Sequence, residues 1–250
     1  MDNKLLKKFY NINYKHKNEN LTELKYKNYP HDRTETVYKY FIDNFKTGRI
    51  LEIGTGGGTL AYSLLKNIPG ITEYTGIEIS SPRVEFLRAN LTDPRFKVIE
   101  GNAEYLDLDL GKFDAIIMIA VIEHLIDPLG FMKKLKEKLL ADNAFVYINT
   151  PNIADYGARR KLLFGKFPST ATKDEGLTTY DNKPVQMYDQ GHLHYFTFSS
   201  LENMLRRYCG YSKFERVPQP VGPKIISSKF HYKLAKWKPT LFSEINVVAS

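Results

Sequence analysis

Five short strand-like segments rich in apolar residues, at residues 49–53, 74–79, 96–99, 113–119 and 144–149, are separated by stretches that read as helices or turns. Strand and helix patterns that alternate in this way leave few folds open. Each parallel strand has to be reached by a crossover, and the crossover helices cover both faces of the sheet. The run at 113–119 is continuous rather than alternating, as expected of a strand buried on both faces. Among the helical stretches, 34–45 places Val37, Tyr40, Phe41 and Phe45 on one side, and 129–140 does the same with Phe131, Leu135 and Leu139. Residues 59–66 read as a helix, as does 80–91, where Ser80 is expected to cap free amides and Pro82 sits at an early helical position. Residues 1–30 are a lysine-rich helical or irregular lead-in ending at Pro30. After Pro151 the rhythm lapses until a helix at 199–207 and late strands at 213–217 and 244–249.

Composition narrows the class further. A chain of 250 residues with 42% apolar and 26% charged side chains can bury a sizeable core, which excludes disorder as the main state. Its longest apolar run, 115–122, is eight residues, against the roughly 20 needed to cross a bilayer. No secretory apolar stretch follows the first lysines, because Lys7-Lys8 come directly after Leu5-Leu6. The single cysteine, Cys209, permits no internal disulfide and no cysteine-based zinc cluster. A cytoplasmic location is the expectation. The net charge of +8 is uneven: residues 1–30 contribute +4 and residues 204–240 contribute +8, leaving the middle slightly acidic. Such flanks suit an anionic small molecule, a nucleic acid or a membrane surface, and equally a solvated lysine-rich exterior.

The chemistry is concentrated at the carboxyl ends of the strands, where an open parallel sheet binds its ligand. The first strand runs into Glu52-Ile53-Gly54-Thr55-Gly56-Gly57-Gly58. A dinucleotide fingerprint would need glycine where Thr59 stands, and a phosphate loop would need Gly-Lys-Ser/Thr at its end, so both readings lose support. Twenty residues after Gly58 the second strand ends in Gly76-Ile77-Glu78-Ile79. A carboxylate at that place can accept both hydroxyls of a ribose. The third strand ends in Glu100-Gly101-Asn102-Ala103, and the fourth in Ala120-Val121-Ile122-Glu123-His124-Leu125-Ile126-Asp127-Pro128.

With these motifs in order, the sequence resembles the class I S-adenosylmethionine-dependent methyltransferases from about Ile50 to Pro151 and again from Gly191 to Tyr211. Within them it is most similar to the small-molecule and sugar-directed O-methyltransferase branch. The resemblance implies a Rossmann-like α/β sheet, mostly parallel with an antiparallel last strand and helices on both faces. It implies S-adenosylmethionine as cofactor and S-adenosylhomocysteine as product. The cofactor site it implies comprises Glu52, Gly54, Thr55, Gly56, Gly58, Glu78, Ile79, Asn102, Ala103, Ala120 and Val121. In this scheme Glu52 orders the glycine turn beside the ligand's ammonium, and Ala103 and Ala120-Val121 sandwich the adenine. Asn102 departs from the aspartate that many relatives carry there. The implied organisation is an N-terminal cap (1–33), a cofactor-binding core (34–150), a substrate-recognition insert (151–198) and a C-terminal helix with the last strands (199–250).

For a hydroxyl acceptor a general base is needed, and His192 and His194 are the candidates, since i,i+2 spacing in an extended segment points both side chains one way. A metal on that pair with Asp189 lacks a third ligand fixed by spacing, so no metal is expected. Arg159 and Arg160 are candidates for an anionic group on the acceptor. Tyr10, Tyr14 and Arg33 are candidates for closing over the site, and Trp237 for a packing anchor. The expected acceptor is a small molecule or glycan precursor, methylated on oxygen. Two readings compete with it. One is an RNA or tRNA methyltransferase, which the basic flanks favour, but no Asp/Asn-Pro-Pro-aromatic segment follows the fourth strand. The other is a non-catalytic adenosyl-ligand-binding protein, against which the intact glycine loop speaks.

Overall fold

The computed structural model describes residues 3–14, 20–105, 109–171, 188–219 and 228–250. Its strands are β1 (Gly48–Ile53), β2 (Ile71–Glu78), β3 (Phe96–Glu100), β4 (Phe113–Ile119), β5 (Leu140–Pro151), β6 (Phe214–Arg216) and β7 (Glu244–Ala249). They form one sheet in the order β3-β2-β1-β4-β5-β7-β6. β1 to β5 pair in parallel, and β7 runs antiparallel to β5 and β6. The order reverses at β1, whose neighbours are β2 and β4, and that switch point is where a ligand crevice opens. The expected fold class is therefore the observed one.

Helices α1 (Asn3–Tyr14), α2 (Arg33–Asn44), α3 (Thr59–Asn67), α4 (Ser81–Asn90), α5 (Pro128–Lys138), α6 (Tyr156–Leu163), α7 (Phe198–Tyr208) and α8 (Ser228–Trp237) complete the described residues. Alternate residues of β1 feed two cores. Leu51 and Ile53 pack with Phe131 and Leu135 of α5 and Leu201 and Leu205 of α7. Ile50 packs on the other face with Val37 and Phe41 of α2 and Leu60 and Leu64 of α3. Each fully buried aliphatic or aromatic side chain contributes roughly 1.5–3 kcal/mol, so the sheet is held from both sides.

Departures from the sequence expectations have local causes. β5 extends beyond 144–149 in both directions, because exposed Asp142 and Asn143 interrupt its apolar pattern without interrupting the strand. α6 falls where no regular element is expected. It buries only Ala158, so it shows no helical apolar period, yet Asp155 caps it by accepting from the Ala158 amide at 2.6 Å. The Ser80 hydroxyl does not cap α4 and has no hydrogen-bond partner. Instead Asn11 of α1 accepts from the Ser81 amide at 2.9 Å, which ties the N-terminal helix to the core. Trp237 is no packing anchor, being 71% exposed at the end of α8 while Ala235 turns inward.

One buried polar pair links β1 to β2. Glu52 is 3% exposed and accepts from the Tyr74 hydroxyl at 2.8 Å. Burial, opposed by that hydrogen bond and reinforced by the charge of Glu78, pushes its pKa up to about 8. A carboxyl raised in this way keeps its proton in the fold. Its stabilising contribution is complete below the unfolded value of 4.5 and is lost as pH rises through about 8. Glu52→Gln preserves the neutral shape, so its stability relative to wild type should rise by on the order of a few kcal/mol between about pH 5 and pH 8. Urea melts across that range measure this, and parallel wild-type and variant curves would show that Glu52 is not held neutral.

Candidate functional site

The glycine loop after β1 is built from backbone bonds to the neighbouring strand. The amides of Gly54 and Thr55 donate to the Ile77 carbonyl at 2.8 and 3.2 Å. Gly54 has φ +76, and a Cβ there would stand 2.6 Å from Val121 Cγ2, so only glycine lets the β1 and β4 loops abut. Glu78, at the end of β2 and 4% exposed, accepts from the Gly56 amide through Oε2 and from the Ser80 amide through Oε1, both at 2.8 Å. A carboxylate can accept about four hydrogen bonds, so these amides and the hydroxyls of a ribose are compatible partners.

Over these strand ends lies a cavity of about 620 Å³, within the roughly 300–1,000 Å³ of cofactor and small-molecule sites. Gly54, Glu78, Asn102 and Ala120, from the ends of β1 to β4, line it. Ile79, Ala103 and Val121 line it too, as do Leu6, Phe9 and Tyr10 of α1. Ala120 has φ +51, a left-handed conformation that costs a non-glycine residue about 1–2 kcal/mol. It is held there by its amide, which donates to the Asn149 carbonyl at 3.0 Å. The Oδ1 of Asn102 accepts from the Glu104 amide at 3.1 Å, and the Glu104 carboxylate in turn accepts from the amides of Ile126 and Asp127. A glycine cradle and a ribose-competent carboxylate at the switch point fit an adenosyl ligand.

Arg33, His124, Thr170, Gln190 and His192 also line the cavity. The segment carrying His192 is drawn in by one residue, since the Glu123 carbonyl accepts from the amides of Leu193 (2.8 Å) and His194 (3.1 Å). Asp189 and Gln190 adopt left-handed φ of +46 and +55 in the turn before it. The fully buried Asp189 carboxylate holds that turn, accepting from the Tyr195 hydroxyl at 3.0 Å, from the Thr170 and Ala171 amides at 3.3 Å, and from the Ser169 hydroxyl. His192 faces His124, with ring centroids 4.7 Å apart. Burial, together with the charge of His192, pulls the His124 pKa down to about 4. Burial also lowers that of His192, against the charge of Asp189.

Several expected site residues stand elsewhere. Glu52 is held against Tyr74 and does not line the cavity. Thr55, Gly56 and Gly58 shape the loop from behind: the Thr55 hydroxyl donates to the Glu52 carbonyl at 3.3 Å and Gly58 is the N-cap of α3. His194 does not share the wall with His192. The Leu193 and His194 amides both donate to the Glu123 carbonyl, which takes the segment out of regular strand alternation, and the His194 ring lies 6.3 Å from that of Phe196 instead. Asp189 is saturated by its donors and joins neither histidine as a ligand. Arg159 and Arg160 sit exposed on α6, with Arg159 Nε donating to the Ala154 carbonyl at 2.6 Å. The side chain of Tyr14 and residues 172–187 of the insert lie outside the described residues. Conversely, Arg83 and Thr170 line the cavity although no motif marks them, and His124, expected from its motif to be structural or next to the cofactor, lines it too.

Glu78→Ala should weaken binding of the S-adenosyl ligand by about 1–3 kcal/mol, because it strips the acceptor from two amides as well as from the ribose. Gly54→Ala should abolish binding while the core still folds. Isothermal titration with S-adenosylhomocysteine reads both, and undiminished affinity in either would move the cofactor away from this loop.

Comparison with known proteins agrees with the fold. Residues 26–209, well over half of the chain, match the family model described as a methyltransferase domain. A mitochondrial ubiquinone biosynthesis O-methyltransferase of Arabidopsis thaliana is 33% identical over 106 residues, which is 41% of this chain but only 32% of that protein. Among solved structures, a plantazolicin methyltransferase in complex with SAH superposes with a TM-score of 0.55 at 19% identity, covering 87% of this chain and 82% of that one. A Thermotoga maritima methyltransferase, titled a possible histamine N-methyltransferase, gives 0.55 at 18% identity, covering 86% and 88%. At these identities the structural likeness is one of fold. The family-model match, on a sheet and glycine loop of this form, shows that the chain belongs to the methyltransferase-domain family of S-adenosylmethionine-dependent enzymes.

Proposed function

We propose that the protein transfers a methyl group from S-adenosylmethionine to a hydroxyl oxygen of a small or glycan-type acceptor. The observation that carries this reading is the pair of partly buried imidazoles of His124 and His192 on the cavity wall, both with pKa values lowered by burial, and with the Glu123 carboxyl beside them. A sulfonium methyl is already reactive, and a carboxylate acceptor, ionised at neutral pH, presents its lone pair unaided. A hydroxyl has to give up its proton, and groups of this kind serve that need. The O-methyltransferase named among the relatives supports oxygen as the accepting atom.

In this reading Glu78 orients the ribose, Ala103 and the Ala120-Val121 turn flank the adenine, and Tyr10 closes the roof. Arg33 takes the place assigned from sequence to Arg159 and Arg160 as the contact for an anionic acceptor. It lines the cavity with its guanidinium 3.5 Å from Glu244 Oε1. Positioning supplies much of the rate in such an in-line transfer, with water excluded by α1 and the insert.

Purified protein with S-adenosylmethionine should form S-adenosylhomocysteine in the presence of hydroxyl-bearing acceptors drawn from nucleotide sugars, phosphorylated sugars and hydroxy acids, and the product should carry an O-methyl group. His192→Ala should lower turnover roughly 10²–10⁴-fold with S-adenosylhomocysteine affinity intact. Methylation at nitrogen or carbon, or a variant that loses cofactor binding instead of turnover, would overturn this reading.

A further inference from the structure

The group at the acceptor end of the cavity holds more than a proton acceptor needs. One ligand atom each from Glu123, His124 and His192 all lie within 4.8 Å of one another. We propose that these three side chains form a binding site for a divalent first-row transition cation, with open coordination positions facing the cavity. Two imidazoles and one carboxylate are the donor set of catalytic zinc and non-haem iron(II) centres, and a poor one for magnesium. Bonds of about 2.0–2.2 Å require the ligands to draw together by about an ångström, a change within reach of side-chain rotation.

Three independent features support a cation here. Glu123 is 1% exposed, and its Oε1 has no hydrogen-bond partner. A buried carboxylate oxygen left unpaired is costly, and a bound cation removes that cost. Each ligand is also braced from behind, the arrangement that orients metal ligands. The Thr150 hydroxyl donates to Glu123 Oε2 at 2.9 Å. His124 Nδ1 lies 3.0 Å from the Gly191 carbonyl, which can only accept, so Nδ1 carries the proton and Nε2 keeps its lone pair. His192 Nδ1 pairs with the Thr170 hydroxyl at 2.7 Å. Finally, the nearby Arg33, whose charge reaches all three side chains, is paired with Glu244 at 3.5 Å, which offsets part of its repulsion toward a cation. Holding a cation, His124 and His192 would no longer be free to accept a proton, and the cation would instead lower the pKa of an acceptor hydroxyl at an open position. That last statement rests on the methyl-transfer reading. The cation site itself stands without it.

Protein stripped with a chelator is titrated calorimetrically with Zn²⁺ and, separately, with Mg²⁺. One Zn²⁺ per chain and little or no Mg²⁺ binding are expected. His192→Ala and Glu123→Gln should each bind Zn²⁺ at least tenfold more weakly, whereas His194→Ala should bind as wild type does. Retained S-adenosylhomocysteine affinity shows that a variant is folded, and if Glu123→Gln fails that check, His192→Ala on the cavity wall decides. Co²⁺ in place of Zn²⁺ should give visible absorption bands in wild type that are lost in His192→Ala. Absence of stoichiometric Zn²⁺ binding, or equal binding in wild type and His192→Ala, overturns the site. Zn²⁺ binding together with full turnover of the stripped enzyme overturns its role toward the acceptor. Zn²⁺ binding as expected with no hydroxyl acceptor methylated leaves the cation site standing and removes the methyl-transfer reading instead.

Discussion

A parallel sheet leaves backbone amides without strand partners where its chains turn away at the carboxyl ends, and the Glu78 carboxylate answers that deficit at the switch point. It accepts the Gly56 amide of the loop after β1 and the Ser80 amide that leads into α4. The same group thus sets the shape of the glycine loop and presents an acceptor to the cavity. Loop geometry and ribose recognition are therefore coupled.

Glu123 plays the corresponding part at the other end of the cavity. Its carbonyl draws in the 193–194 backbone, its Oε2 is fixed by Thr150 of β5, and a carboxylate oxygen lies within 4.8 Å of a ring nitrogen of His124 and of His192. Burial pushes its pKa up to about 7. Asp189 stabilises the closing segment from outside the cavity, paying for two left-handed residues with hydrogen bonds to Tyr195 and to the 169–171 backbone. The roof is fastened in the same economical way, since Asn11 of α1 caps α4 and Lys7 pairs with Glu100 at 2.6 Å.

Much of the fold is legible in the residues. The run at 113–119 lies in a central strand because it is apolar from Ala115 to Ile119, and a strand buried on both faces has no solvent side to encode. The strand-end residues Gly54, Glu78, Asn102 and Ala120 all reach the cavity. Errors fell where apolar pattern and structure part company. α6 has no buried stripe to betray it, and Trp237 is apolar yet exposed. Glu52 follows the loop motif in sequence, but strand alternation turns its side chain beneath the sheet toward Tyr74, away from the ligand side.

Sequence by itself determined the strand order's ingredients, the glycine loop and the carboxylate that faces it, because these depend on local period and on residues within one crossover. Only the tertiary structure decided which histidines meet. His192 and His194 are two residues apart, yet the Leu193 and His194 amides converge on one carbonyl and only His192 reaches the cavity. Glu123 and His124, in contrast, meet His192 although α5, β5 and α6 separate them in the chain, held by backbone hydrogen bonds to the Glu123 carbonyl. Spacing rules reach only as far as a regular element extends, and this segment is not one.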